Sequence, residues 1–290
     1  MTEQDPAQAG NRPPAGKMGP EKNSWGRIEA TLRGLRKEGE KGLIVYITAG
    51  DPSLPLTVQM VAELSRAGAD VIELGVPFSD PLADGPTIQK ASQRSLAAGT
   101  TLAKILECVD ATRRLTDVPL ALMTYYNPLF RYGLECFLKE AAARGVDGLI
   151  VPDLPLEAGS ELLEKAGEAG IEVVLFVAPT STEERIGATA CAASGFIYCL
   201  SVTGVTGARE NLPGEAAAVV RRVRRYTDKP VAIGFGISGP GPARTLSRDA
   251  DAVIVGSAII DRVEANLGDP ERLLAETAGF VRRLKEAVSR

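Results

Sequence analysis

Residues 70–86 read D-V-I-E-L-G-V-P-F-S-D-P-L-A-D-G-P, a stretch that begins as a predicted buried strand and ends as a stiff loop. Apart from Glu73 and Gly75, the residues from 71 to 76 are apolar, which is typical of a parallel strand covered on both faces. An unpaired, ionised Glu73 would be strongly unfavourable among such neighbours. We therefore expect Glu73 to be paired, protonated or facing a polar cavity.

The second half of this stretch carries another carboxylate on a restrained backbone. Prolines at positions 77, 81 and 86 fix φ and disfavour helix just before each of them. Asp84 then lies just beyond the strand end, where barrels of alternating strands and helices carry their catalytic groups. Two simpler interpretations stay open: Glu73 as the partner of a core Arg or Lys, and Asp80 as an ordinary turn residue.

The composition is that of a globular protein and excludes several classes of function. The chain has 290 residues, of which 44% are hydrophobic and 24% charged, and its net charge of -4 argues against a nucleic-acid partner. Its four cysteines show no C-x-x-C spacing, so we expect them to be reduced and predict no metal site.

Histidine is absent from the sequence, which removes Ser-His-Asp and Cys-His mechanisms and the commonest general base. Carboxylates must then carry any proton transfer. The sequence also shows neither a run of about 18 apolar residues nor a charged-then-apolar leader. We therefore expect a cytoplasmic protein with no membrane contact.

Short apolar runs alternate with helical patterns along the whole chain, and glycine recurs at the joints before several of the runs. Eight such strands, each followed by a helix, predict the α/β class and a closed (β/α)₈ barrel. The predicted strands are 43–48, 70–75, 119–125, 147–152, 173–178, 196–201, 230–235 and 251–256.

The ends of the chain fall outside this repeat. Residues 1–23 are rich in Pro, Gly, Ala and Gln and lack an apolar period, so we expect a disordered amino-terminal extension. Residues 24–290 should form a single catalytic barrel, preceded by an extra helix capped by Ser24. A final helix should begin after Asp269, with Asp269 as its cap.

Three glycine-containing segments follow the last three strands: S-V-T-G-V-T-G-A-R at 201–209, G-F-G-I-S at 234–238 and G-S-A at 256–258. The first suits a lid or an anion nest, and the other two lie where barrels bind phosphate through backbone N–H groups. The simpler interpretation is that these glycines only permit tight turns.

Four motifs in order, A-G-D-P at 49–52, the stretch 73–86, G-V-T-G at 204–207 and G-F-G-I-S, resemble the tryptophan synthase alpha subunit family. The resemblance covers the chain from about Trp25 to its end. It implies a (β/α)₈ barrel that cleaves indole-3-glycerol phosphate to indole and glyceraldehyde 3-phosphate without a cofactor of its own.

The resemblance also implies roles for individual residues. Glu73 matches the catalytic acid and base, and Asp84 matches the carboxylate that hydrogen-bonds the indole N–H. The remaining matched positions bind substrate: Tyr125 and Phe235 flank the indole, Tyr198 lies within reach of the reacting end, Thr206 is the lid threonine that reaches toward Asp84 on closure, and Gly207, Gly236, Gly256 and Ser257 bind the phosphate.

In the family the partner is a beta subunit that carries pyridoxal phosphate and receives indole in an alpha-beta-beta-alpha complex. Asp80 and Asn127 match positions that contact this partner. Two alternatives remain within the resemblance, a stand-alone lyase and a subunit that mainly activates its partner. Outside it, a phosphosugar isomerase would share the phosphate glycines but would not explain the paired carboxylates.

Overall fold

The computed structural model describes residues 25–200, 212–234 and 236–289. The predicted amino-terminal extension lies outside these ranges, as do the predicted site residues Thr206, Gly207 and Phe235. The predictions made for these residues therefore stay predictions.

The described strands close into a barrel in which each strand pairs in parallel with the next and β8 pairs with β1, so the predicted fold class is confirmed. Every strand begins within one residue of its predicted start. The strands are β1 Gly42–Thr48, β2 Val71–Gly75, β3 Leu120–Met123, β4 Gly148–Ile150, β5 Glu172–Val177, β6 Ile197–Leu200, β7 Val231–Gly234 and β8 Ala252–Val255.

Helices surround this barrel and connect its strands. In the described ranges they are α1 Arg27–Lys37, α2 Leu54–Arg66, α3 Pro86–Ala97, α4 Leu102–Arg113, α5 Tyr126–Tyr132, α6 Leu134–Arg144, α7 Ser160–Glu168, α8 Glu183–Ala192, α9 Leu212–Val223, α10 Pro240–Ser247, α11 Ser257–Ala265 and α12 Pro270–Val288. A 3₁₀ turn, Leu156–Ala158, precedes α7.

Hydroxyl and carboxylate caps fix several of the helix starts. The predicted cap Asp269 is confirmed, because its Oδ1 accepts a hydrogen bond from the Arg272 N–H at 3.0 Å. The predicted cap of the first helix is wrong: Gly26, not Ser24, holds the N-cap position of α1, and it supplies no side chain. The Glu172 carboxylate of β5 instead accepts hydrogen bonds from the first turn of α1.

Helix α1 closes the amino-terminal end of the barrel. Its buried residues Ile28 and Leu32 join the cluster formed by the inward side chains of the strands. Gly148 of β4 makes this approach possible, because a Cβ there would lie 2.6 Å from the Ile28 Cδ1 atom. The interior below the site is thus filled by packed apolar side chains rather than by a pore.

Three aspartates at this same end share one arrangement: each precedes a strand, accepts a backbone N–H from a neighbouring strand and pairs with a cation. The backbone donors are Leu43 to Asp70 at 2.7 Å, Leu120 to Asp147 at 2.8 Å and Val231 to Asp251 at 2.8 Å, and the cations are Lys285, Arg113 and Arg224 in the same order. These carboxylates tie the outer helices to the strand starts.

Candidate active site

A cavity of about 330 Å³ opens at the carboxyl ends of the strands. It lies over β1, β2, β6 and β8 and reaches the amino-terminal ends of α3 and α11. The predicted site residues that line it are Glu73, Asp84, Tyr198, Gly236, Gly256 and Ser257. The strand ends therefore bring together residues that are up to 184 positions apart in the sequence, from Glu73 to Ser257.

Glu73 is the third residue of β2 and faces the cavity beside Tyr46 of β1, its register neighbour. Only 1% of its surface is exposed, and its Oε1 atom has no hydrogen-bond partner within the described residues. No described cation pairs with it either, which disfavours the core ion-pair interpretation. Burial raises the pKa of Glu73 to about 8, so at neutral pH this side chain is mostly a protonated acid.

Asp84 lies on the loop between β2 and α3, where it is 8% exposed. Burial raises its pKa to about 6, while a hydrogen bond from the Tyr125 hydroxyl acts in the opposite direction. The same hydroxyl accepts the Ala83 N–H at 2.9 Å, and Gln89 Nε2 donates to the Asp84 carbonyl oxygen at 2.9 Å. At neutral pH Asp84 is mostly ionised and held in place from both sides.

The two carboxylates of the cavity therefore differ in charge at the same pH. Glu73 can donate a proton, whereas Asp84 can accept a hydrogen bond and stabilise positive charge. A pair of titratable groups whose surroundings separate their pKa values is typical of acid and base assignments in enzymes.

Two tyrosines form aromatic walls beside Glu73, and a strand glycine accommodates each hydroxyl. A Cβ at Gly75 would lie 2.0 Å from the Tyr46 hydroxyl oxygen, and one at Gly234 would lie 2.3 Å from that of Tyr198. Burial raises the pKa of both phenols, which stay neutral. The absence of a side chain at these two positions creates the space in which the rings sit.

Beside Tyr46, the cavity wall presents backbone rather than cationic side chains, because a Cβ at Gly256 would lie 3.3 Å from the Tyr46 Cβ and no Lys or Arg is among the described lining residues. Gly256 and Ser257 form the start of α11, and Gly236 adopts a φ of +74°, a conformation that favours glycine. Helix starts present free N–H groups, so this part of the cavity, called the phosphate end below, suits a phosphate. Ile237 and Ser238 also line it; the sequence prediction missed both, although the motif G-F-G-I-S contains them.

Tyr125, predicted to flank the indole, is not among the described residues that line the cavity, whereas Met123 is. The reason is that β3 ends at Met123, so Tyr125 is the N-cap of α5 and its ring lies 5.2 Å from Phe78. Tyr125 therefore holds the Asp84 loop. Thr87 and Asp261, which sequence reasoning did not single out, complete the rim.

The described residues contain no group of three or more His, Cys, Asp or Glu side chains arranged to hold a metal ion. Within the same ranges, no helix is both long and apolar enough to cross a membrane.

A closed barrel whose cavity holds two carboxylates of different pKa beside a helix start is typical of a (β/α)₈ enzyme. Comparison with known proteins makes the assignment specific. The profile of the family described as tryptophan synthase alpha chain matches residues 32–289, and the chain belongs to that family.

Similar proteins agree over nearly their whole lengths. The chain is 50% identical over 262 residues to the tryptophan synthase alpha chain of Citrifermentans bemidjiense and 48% identical to that of Geotalea uraniireducens, covering 90% of this chain and 97% of each relative. A structure of tryptophan synthase subunit alpha from Legionella pneumophila superposes with a TM-score of 0.83 at 34% identity, covering 91% of this chain and 98% of that one. A structure of Mycobacterium tuberculosis tryptophan synthase gives 0.83 at 35% identity, covering 92% and 99%.

Proposed function

We propose that this cavity is where the chain, a carbon–carbon lyase of tryptophan biosynthesis, cleaves indole-3-glycerol phosphate into indole and glyceraldehyde 3-phosphate. The observation that carries the assignment of roles is the unpartnered, buried Glu73 in one cavity with the ionised Asp84. The same cavity is lined by aromatic side chains and by the start of α11.

The shape of the cavity agrees with this substrate. Its volume of about 330 Å³ falls in the range of small-molecule sites. The apolar side chains of Tyr46, Ile88 and Met123 suit the indole ring, and the backbone at Gly256 and Ser257 suits the phosphate. This arrangement would place the bond to be cleaved near Glu73.

The reaction needs one proton at carbon 3 of the indole and the loss of one proton from the adjacent glycerol hydroxyl. Protonated Glu73 donates to carbon 3, which converts the ring into a positively charged indolenine. The carbon–carbon bond then breaks, its electron pair returning to the ring, while the hydroxyl loses its proton to the Glu73 carboxylate and becomes the aldehyde. Glu73 is thus restored in its acid form.

Asp84 would act on the charge that develops between these steps. Its carboxylate accepts a hydrogen bond from the indole N–H, which becomes more acidic as the ring turns positive. Because Tyr125 and Gln89 hold this loop, the carboxylate needs little rearrangement during the reaction. Such fixed electrostatic groups are commonly the largest contributors to catalysis.

The direct test uses the purified full chain and indole-3-glycerol phosphate, with glyceraldehyde 3-phosphate followed by a coupled dehydrogenase. We expect equal amounts of indole and aldehyde. A parallel assay with triose phosphates examines the phosphosugar isomerase alternative. Isomerisation without indole release would contradict the lyase assignment.

We further propose a cytoplasmic alpha-beta-beta-alpha complex in which a beta subunit carries the pyridoxal phosphate and receives the indole. The rim of the cavity supports a partner surface, because Leu82 is 91% exposed beside the exposed Asp80, and Phe130 is 70% exposed on the helix that carries Asn127. Exposed apolar residues grouped around a site mouth are typical of protein interfaces.

A titration with beta subunit tests this partner. Wild type should show saturable activation of cleavage, and Asp80→Ala should need more beta subunit to reach it, whereas Asp110→Ala on α4 should behave as wild type. Absence of activation in wild type would favour the stand-alone lyase. If Glu73→Gln activates the beta reaction fully, the chain also serves as an activator independent of its own chemistry.

A further inference from the structure

Helix α3 is connected at its start to one of the two carboxylates. It follows Asp84 by two residues, and Gln89 in its second turn donates from Nε2 to the Asp84 carbonyl oxygen at 2.9 Å. Thr87 in its first turn donates to the Asp261 carboxylate on α11 at 3.2 Å. The start of α3 therefore sets where the Asp84 loop lies relative to α11.

The other end of α3 is fastened to the loop after β1. Arg94 makes a two-pronged (bidentate) ion pair with Asp51, in which Nε donates to Oδ1 at 2.8 Å and Nη2 donates to Oδ2 at 2.8 Å. Asp51 is only 1% exposed, and the next residue of the helix, Ser95, donates to the Ala49 carbonyl oxygen at 2.6 Å. This loop leads directly out of the strand that carries the wall residue Tyr46.

Between its two ends, α3 packs on the site itself. Ala91 forms a buried apolar cluster with Tyr46 of β1 and Ile260 of α11, and Ile88 packs against that cluster and lines the cavity. Lys90 and Arg94 also approach Glu264 of α11, at 3.9 and 3.7 Å. One helix thus contacts the elements that carry the aromatic wall, the ionised carboxylate and the phosphate end.

These contacts have a mechanical consequence. A 12-residue helix is about 18 Å long and moves nearly as a rigid body, so a displacement at Arg94 is transmitted to Asp84. A paired guanidinium and carboxylate fix orientation as well as distance, which a single charge contact does not. Misplacement of a catalytic group by about 1 Å can reduce turnover about 100-fold.

We infer that Arg94 and Asp51 are positioning residues for the lyase reaction, because their two-pronged contact sets the placement of α3 and thereby of Asp84. The inference rests on the proposed role of Asp84. It differs from a purely structural role, in which Arg94 only neutralises a buried carboxylate and any cation of similar reach would serve.

The test uses two variants. Arg94→Lys keeps the positive charge but cannot donate to both carboxylate oxygens of Asp51 in the same geometry, and Asp51→Asn keeps the shape of the side chain but has one acceptor oxygen instead of two. The matched control is Arg144→Lys on α6, where Arg144 contacts Glu140 through Nε and Nη2 at 3.0 and 2.9 Å away from the site. Melting curves, kcat, KM and the acidic limb of the kcat/KM profile are measured for each full-length protein.

We expect both site variants to remain folded at the assay temperature with kcat lowered about 10- to 100-fold. KM should change much less, because the phosphate end keeps its backbone donors. The pH below which kcat/KM falls should be lower than the wild-type value near 6. A displaced Asp84 is more exposed to water, so burial raises its pKa less. Arg144→Lys should retain wild-type kcat and pH dependence.

Normal kcat and an unmoved acidic limb in a folded Arg94→Lys protein would overturn the positioning role while leaving the lyase assignment intact. Unfolding of both site variants would likewise overturn it in favour of a structural ion pair; if only one unfolds, the other decides. A wild type that releases no indole contradicts the proposed function instead.

Discussion

Asp70, which precedes β2, and Glu73, the third residue of that strand, are three positions apart, yet their surroundings suit them to different roles. Asp70 accepts the Leu43 N–H at 2.7 Å and pairs with Lys285 at 2.8 Å. Burial raises the pKa of both carboxyls, but these partners act against the shift at Asp70 and nothing does so at Glu73. The set of partners, rather than burial, separates the structural carboxylate Asp70 from Glu73, for which we propose a catalytic role.

The same division holds for the two ends of the barrel. At the amino-terminal end, Asp147 and Asp251 each meet a backbone N–H and an arginine, which ties helices to strands. At the carboxyl end, Glu73 and Asp84 face a cavity without a described cation partner. The paired carboxylates and the proposed catalytic carboxylates thus lie at opposite faces of one barrel, as the fold allows.

The largest expected effect is the loss of catalysis in Glu73→Gln. Because the amide cannot transfer the proton, kcat should fall by about 10²–10⁴. The variant should also lose a pH dependence of stability. The pKa of Glu73 is about 8 in the folded protein and about 4.5 in the unfolded chain, so the free energy of unfolding of wild type decreases as pH rises from 4.5 through 8. Glutamine does not ionise, so the variant lacks this decrease.

Urea unfolding at pH 4 and pH 9, together with kcat, checks both effects of Glu73→Gln. Equal stability of the two proteins is expected at pH 4 and a more stable variant at pH 9. A variant that unfolds more easily at pH 9 would mean that Glu73 has a stabilising partner, as Asp70 does.

Asp147→Asn should produce the opposite pattern, a loss of stability with little change in kcat. Removing the charge of Asp147 leaves the partly buried Arg113 without its ion-pair partner. It also weakens the contact between residue 147 and Arg27 of α1. Breaking a buried ion pair destabilises proteins by about 3–5 kcal/mol. The free energy of unfolding in urea and kcat below the unfolding transition are measured side by side. A folded Asp147→Asn protein with strongly reduced kcat would show that the two ends are not separable.

The pH dependence of cleavage should reflect both cavity carboxylates. Activity requires ionised Asp84 and protonated Glu73, so kcat/KM should fall below about pH 6 and above about pH 8. Asp84→Asn should lower kcat by about 100-fold and remove the acidic limb, because no group then titrates there. An unchanged acidic limb in this variant would assign that limb to another group.

The smallest effect is expected for Glu172→Gln at the amino-terminal end. The carboxylate accepts the Ile28 and Glu29 N–H groups at 2.7 and 2.9 Å, and the amide retains one acceptor. Loss of a helix cap lowers stability by about 0.5–2 kcal/mol, and kcat should not change. Thermal unfolding monitored by circular dichroism measures this difference, and an unaltered melting temperature would show that Glu172 does not cap α1.

The sequence predicted the barrel because its apolar runs and joint glycines repeat, and every strand start is confirmed within one residue. Glu73 could be singled out because a charge inside an apolar run is visible without coordinates. Its protonation was not predictable, since that depends on which side chains fail to approach it. Residues 201–211 and Phe235, where the lid and one wall were predicted, lie outside the described ranges.

Other features depend on contacts between distant parts of the chain. Arg94 and Asp51 are 43 residues apart, and Glu172 lies 144 residues from the Ile28 amide that it caps. The resemblance placed Tyr125 beside the indole, and the sequence predicted β3 to extend through it; the strand ends two residues earlier, and the Tyr125 ring lies 5.2 Å from Phe78. Local periodicity carries no information about such pairings.

The most direct test of this account is a titration of the Glu73 carboxyl in the substrate-free protein. Carbon-13 NMR of protein labelled at the glutamate side-chain carboxyl, with Glu73→Gln to assign the resonance, follows its ionisation between pH 4 and pH 10. A pKa near 8 is expected for a buried acid without a partner. A value near the ordinary 4.5 would show that Glu73 is paired or hydrated and would contradict its role as the proton donor.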